Sequence, residues 1–407
     1  MKDKSKNLLS LKKNKADYLL SITAMLQPVL VLVQLFMIDV LKMEAEAANS
    51  YRIMLTAVPI LLSMIIVFIR NSQLTVITYS IVAFIILLTL ILFPDRWPYM
   101  RDDLLKFTLP VVVPIGLCMA SINNFAVLMK SMLYVAIIAA FIGLLYAVLF
   151  LNGLVYLEGY SMPFSYALLF PTFILINKKQ LIWTIVAVLV MIEMLAIGSR
   201  GAILISIIYF LFVQFWGKMS VSRLLFYVLI LIVGFILFFE PLINSLTSTF
   251  DSIGISSRTL RLLESDELIS HDSGRDAISK AVWNLIDKSP LIGNGVWADR
   301  QYLDTYCHNV FLELLLDFGY LGTLVILIIF GIVQIGIFRK LTVAHKSMYI
   351  MMISLLIQLL FSSSYLISFN VGMFLGFSYL LSKLQKKTFI SRLSTLNLVK
   401  YENRKRH

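Results

Sequence analysis

Apolar runs of about 20 residues recur along this chain, each long enough to cross roughly 30 Å of hydrocarbon. They predict an all-α polytopic membrane protein with twelve spans, near 18–38, 53–69, 74–93, 104–120, 132–151, 163–176, 181–197, 201–216, 223–239, 309–337, 347–362 and 365–382. The sixth is short and contains Pro163 and Pro171, and the tenth is long enough to tilt or to begin outside the bilayer. One large polar loop, Pro241 to Cys307, interrupts the series. The chain therefore divides into a basic N-terminus (1–17), spans one to nine (18–240), the loop (241–307), spans ten to twelve (308–382) and a basic tail (383–407).

Composition agrees with this pattern. The 407 residues are 59% hydrophobic and 14% charged, where an ordinary soluble domain has about a quarter charged. The first apolar run, Tyr18 to Ile38, is longer than a signal-peptide core and is expected to stay in the protein. Cys118 lies within an apolar run and Cys307 at a loop end, so neither a disulfide nor a metal site is expected.

Charge orients the spans. With the N-terminus inside, the inner segments hold 23 Lys and Arg, and the short outer loops hold five: Lys42, Arg52, Arg96, Arg101 and Arg200. Basic residues collect on the cytoplasmic side, so both termini are expected there and the large loop outside. The same bias accounts for most of the +12 net charge without any nucleic-acid partner. From Glu240 to Asp304 the loop has six basic and ten acidic residues, so phosphate affinity there needs individually placed arginines. The tail places Phe389, Ile390, Leu393 and Leu396 at helical spacing, which suits either an anionic membrane surface or a merely solvated segment.

Chemistry concentrates on the outer side. Arg200 lies in Gly-Ser-Arg-Gly-Ala, in a tight turn between the seventh and eighth spans. It either snorkels to headgroups or offers a fixed planar fork to phosphate oxygens. Arg275 follows Ser273 and Gly274, which resemble a helix start, with Ile278, Val282, Leu285 and Ile286 at amphipathic spacing beyond. It either pairs with Asp272 or Asp276 or binds an anion. Arg258 and Arg261 are weaker substrate-binding candidates, as is Gly295 in Gly293-Asn294-Gly295, where a plain turn competes with a phosphate cradle.

His308 immediately precedes an apolar helix at the outer boundary, where a neutral imidazole could take a proton from a sugar hydroxyl. Asn309 either orients substrate or caps the helix. Glu193, Glu313 and Asp317 are carboxylates within predicted spans, which default to cavity-facing candidates. Glu193 precedes Arg200 by two turns and is equally suited to pair with it, and Glu313 and Asp317 share one face of the tenth helix.

Together these motifs resemble the O-antigen ligase and O-antigen polymerase superfamily. The resemblance rests on Gly-Ser-Arg-Gly-Ala, Ser-Gly-Arg, a helix with Trp283, Pro-Leu-Ile-Gly-Asn-Gly, and His308-Asn309 followed by Gly319 and Gly322. It covers Leu181 to Gly322 by motif and the rest by topology. The resemblance implies a type C glycosyltransferase of the bacterial inner membrane, metal-independent and without a cofactor, acting on undecaprenyl-diphosphate-linked oligosaccharides. Its diphosphate-binding arginines fall on Arg200 and Arg275 and its catalytic histidine on His308. A repeat-unit polymerase is the first expectation, with a chain-length regulator protein among its partners. A ligase using a lipid A-core acceptor is the second. A lipid-linked glycan transporter is a third, disfavoured by the lack of related halves.

Overall fold

A computed structural model describes residues 2–152, 154, 155, 160–197, 200–215, 244, 245, 247, 248, 251, 252 and 275–385. The described residues form helices and turns, with no strand among them. The ninth predicted span, the basic tail beyond 385, and Arg258 and Arg261 lie outside the described residues.

The first predicted span is two helices, α1 (Lys2–Met25) and α2 (Gln27–Asp39), bent by 54°. Pro28 stands at the start of α2, where its missing N–H and fixed φ open a helix but cannot continue one. The second and third spans are joined in α3 (Ala45–Leu92), broken at Asn71 with φ −144° and ψ 48°. Its two halves run away from the same end. In the first half Arg70 pairs with Asp17, Ser63 bonds Thr23 and Thr56 bonds Gln27, each step farther along α1 and α2. In the second, Asn71 bonds Ser121, while Ile86 and Leu90 pack beside Met100 and Leu104. The chain therefore reverses at Asn71.

A short 3₁₀ turn (Pro94–Arg96) and α4 (Trp97–Asp103) lead into a π-helical stretch, Leu104–Val112, and then α5 (Val113–Ala120). Next come α6 (Phe125–Leu151), α7 (Ser161–Asn177), α8 (Leu181–Ile197) and α9 (Arg200–Phe215). The short sixth span becomes α7, and every residue from Phe164 to Ile176 is buried. A helix apolar on all sides belongs in the centre, and α7 lies against α2, α6, α8 and α9.

The described part of the large loop contributes α10 (Arg275–Lys288) and α11 (Ala298–Leu303). The chain ends in α12 (Val310–Arg339), α13 (Val343–Ser354) with a 3₁₀ turn (Leu355–Leu360), and α14 (369–385). Among the described residues five helices are long and apolar enough to cross a membrane, or six if the bent α1–α2 pair counts as one. The predicted twelve is not reached on that measure, because α7, α8 and α9 are shorter apolar helices and α3 merges two spans. Large apolar side chains such as Leu61, Ile69, Ile91 and Ile332 stand exposed along α3 and α12, a surface suited to hydrocarbon.

Candidate functional site

The loop before α11 explains why α12 breaks. Gly319 adopts φ 64° and ψ −175°, a conformation open to glycine and costly for other residues. The interruption frees helix carbonyls, and the Pro290–Gly295 loop takes them up. Asn294 N–H donates to Leu316 O at 2.7 Å and Gly295 N–H to Asp317 O at 3.0 Å. In return Tyr320 N–H donates to Pro290 O at 2.7 Å. A Cβ on Gly293 would stand 2.4 Å from Gly319 N, and one on Gly295 would stand 2.3 Å from the Phe93 ring. Gly-Asn-Gly is thus packed backbone to backbone against α12, which gives Gly295 a structural role.

The amphipathic face of α10 completes the seating. Val282 and Ile286 are fully buried with Ala298, Cys307 and Leu316, and Ile278 and Leu285 pack around them. Arg275 begins α10, as the helix-start pattern predicts. Its Nη2 donates to Met162 Sδ at 3.8 Å, and Ser362 Oγ reaches the same sulfur at 2.7 Å. No carboxylate among the described residues pairs with Arg275. Among the described residues its guanidinium has the soft, weakly accepting sulfur of Met162 as hydrogen-bond partner.

His308 adopts φ 57°, and its ring lies 4.1 Å from that of Tyr306. Burial lowers its pKa below the ordinary 6.5, and the positive charges of Arg275 and Arg300 lower it further against a smaller opposing pull from Asp299. Its Nδ1 is buried with no hydrogen-bond partner among the described residues. The imidazole is therefore held neutral near pH 7, as a general base requires. Asn309 caps α12, its Oδ1 accepting from the N–H groups of Phe311 at 2.9 Å and Leu312 at 3.4 Å.

Arg200 is the first residue of α9. The next residue, Gly201, sits so close to Tyr166 that a Cβ would meet its hydroxyl at 2.5 Å. Tyr166 is in turn within electrostatic reach of Arg275 and Tyr306. Tyr166 thus stands between the start of α9 and the Arg275–Tyr306 neighbourhood. Glu193 is placed differently: it is buried at the contact of α6, α7 and α8, beside Gly143 and Leu168.

Beneath His308 lies an ionic network that joins Glu313 and Asp317, singled out in the sequence, to Arg300, which was not. Arg300 donates to Asp299 at 2.6 Å, to Asp103 at 2.9 Å and to Glu313 at 3.0 Å. Glu313 also accepts from Ser364 Oγ and from Tyr365 N–H at 3.2 Å, and Asp317 accepts from Tyr365 Oη at 2.6 Å. Asp299 accepts from Cys307 N–H at 3.1 Å, which fixes the residue before His308. The Arg300 guanidinium faces the Tyr306 ring at 5.8 Å. Arg96, also fully buried, donates to Asn294 O at 2.7 Å and packs on Phe93 and Tyr302. Glu313 and Asp317 stand out in the sequence as carboxylates within a predicted span, whereas Arg300, Asp299 and Asp103 carry no signal beyond the adjacency of Asp299 and Arg300. Among the described residues no group of three or more His, Cys, Asp or Glu is arranged to hold a metal ion.

Arg200, Arg275, Arg300, His308 and the paired glycines fall inside one segment of the chain. Residues 183–327 match the family model described as O-antigen ligase. That segment is similar to the O-antigen ligase family, in agreement with the resemblance of its motifs. No curated protein matches the chain.

Proposed function

We propose that this protein is a glycosyltransferase that joins oligosaccharides carried on undecaprenyl diphosphate, at the outer face of the bacterial inner membrane. In this reading the chain crosses twelve times with both termini in the cytoplasm, as its charge distribution favours. The observation that carries the reading is the proximity of Arg275, which has no carboxylate partner among the described residues, to the half-buried imidazole of His308.

The acceptor hydroxyl loses its proton to His308 as its oxygen attacks the anomeric carbon of the donor sugar. The bond from that carbon to the diphosphate oxygen breaks with inversion. Arg275 and Arg200 stabilise the charge gathering on the departing diphosphate, the electrostatic contribution that often dominates catalysis. Tyr306 and the Arg300 network hold the imidazole in place. No metal ion is required in this scheme, because fixed guanidinium groups supply the positive charge.

We take repeat-unit polymerisation as the reaction, with a chain-length regulator as a partner. The ligase description of the matched family favours transfer to a lipid A-core or other surface acceptor as the second reading. Purified protein supplied with lipid-linked repeats alone separates them. Polymerisation yields a ladder of multiples, whereas a ligase yields none until its acceptor is added. If His308→Ala and Arg275→Ala, correctly folded, both turn over at the wild-type rate, the assigned roles are wrong.

A further inference from the structure

A cavity of about 410 Å³ opens among α2, α3, the π-helical stretch, the start of α7 and the segment 358–369. Two cations line it, Arg52 and Lys106, and no carboxylate does. Lys106 is held by Asp102 at 2.8 Å, and Asp102 is itself shared with Arg101. Arg52 has no ion-pair partner among the described residues. Gln27, Thr56, Gln358 and Ser368 add polar groups, while Val31, Phe107, Val111 and Phe369 are apolar. A cation left without a counter-ion among apolar walls, in a chain built for a membrane, points to an anionic ligand carrying a hydrocarbon chain.

Its position relative to His308 is informative. Met162 meets Arg275 and Ser362 bonds Met162, yet their sequence neighbours Pro163 and Ser363 line the cavity. Ser364 and Tyr365 then turn back to bond Glu313 and Asp317. Only one layer of chain divides the cavity from the Arg275–His308 surface. Lys106 itself belongs to the π-helical stretch, a geometry that is rare and recurs at functional sites.

We propose that this cavity seats the diphosphate end of a second lipid-linked glycan, the acceptor, back to back with the donor's diphosphate at Arg275. Arg52 and Lys106 hold its phosphates, and the polyprenyl chain leaves along the exposed apolar flank of α3. The acceptor's sugars cross the Ser362–Ser364 layer so that its terminal hydroxyl meets His308. This rests on the glycan-transfer reading and deepens it, because a reaction between two lipid-linked diphosphates needs two cationic seats.

The test uses the full-length protein in nanodiscs of uncharged lipid, with polyprenyl diphosphate as probe and native mass spectrometry to count bound copies. Wild type is expected to take two copies, and Arg52→Gln and Arg275→Gln one each. With defined donor and acceptor lipids, Arg52→Gln raises the acceptor KM roughly tenfold, the effect of losing one charge-assisted contact, and leaves the donor KM in place. Arg52→Lys, which keeps the charge, restores most of the binding and guards against misfolding. A single copy on wild type, displacement of the second by equimolar phosphatidylglycerol, or a wild-type acceptor KM in Arg52→Gln overturns the proposal. If wild type proves inactive, glycan transfer fails, and the copy number still reads the cavity by itself.

Discussion

Gly319 and Leu291 stand so close that a Cβ on the glycine would lie 2.5 Å from the leucine carbonyl oxygen. This contact couples the large loop to α12 and so places everything between them, His308 included. Gly319→Ala combines that clash with a backbone conformation of φ 64° and ψ −175°, which costs about 1–3 kcal/mol or more for a residue with a side chain. The expected result is a thermal midpoint lower by several degrees together with lost activity. Gly331→Ala, where a Cβ meets nothing within 4 Å, serves as the control and leaves the midpoint in place. Equal behaviour of the two variants removes the wedge argument.

Arg300 bonds three carboxylates while almost fully buried. Arg300→Met leaves those carboxylates without their cation, and breaking a buried network in this way costs about 3–5 kcal/mol. Glu313→Gln keeps the shape and removes one negative charge, so it should be the milder change. Chemical denaturation of the purified protein, followed by Trp fluorescence, ranks the two. An Arg300→Met protein as stable as wild type would show that the network contributes little.

The depressed pKa of His308 gives a pH prediction with a definite sign. The base works when neutral, so kcat/KM is level above the ordinary value of 6.5 and falls only at lower pH, as the imidazole gains its proton. Arg275→Gln removes a positive neighbour that discourages protonation, so the acid limb moves to higher pH even though the rate drops. A limb that stays put, or moves the other way, contradicts the proposed proximity of the two groups.

The all-helical, apolar nature of the chain was legible in sequence, though not its count of spans, because 20-residue apolar runs leave few alternatives to a helix in hydrocarbon. The start of α10 at Arg275 and the capping ability of Asn309 were legible for a similar reason, since caps and amphipathic faces are local properties. The enclosed position of α7 was not, because two prolines in a short run say nothing about which neighbours surround it.

The site divides along the same line. Residue type and motif spacing singled out His308, Arg200 and Arg275. Arg96 and Arg300 passed as ordinary loop charges, since Arg96 meets Asn294 and Arg300 meets Asp103 across nearly 200 residues of chain. Likewise, Gly-Asn-Gly could be recognised locally as a turn, but its use as a wedge depends on α12 breaking beside it. Local propensity and hydrophobicity act over a few residues and can be read along the chain. Which charge finds which partner, and which loop fills which gap, is decided by long-range packing and exists only in the folded molecule.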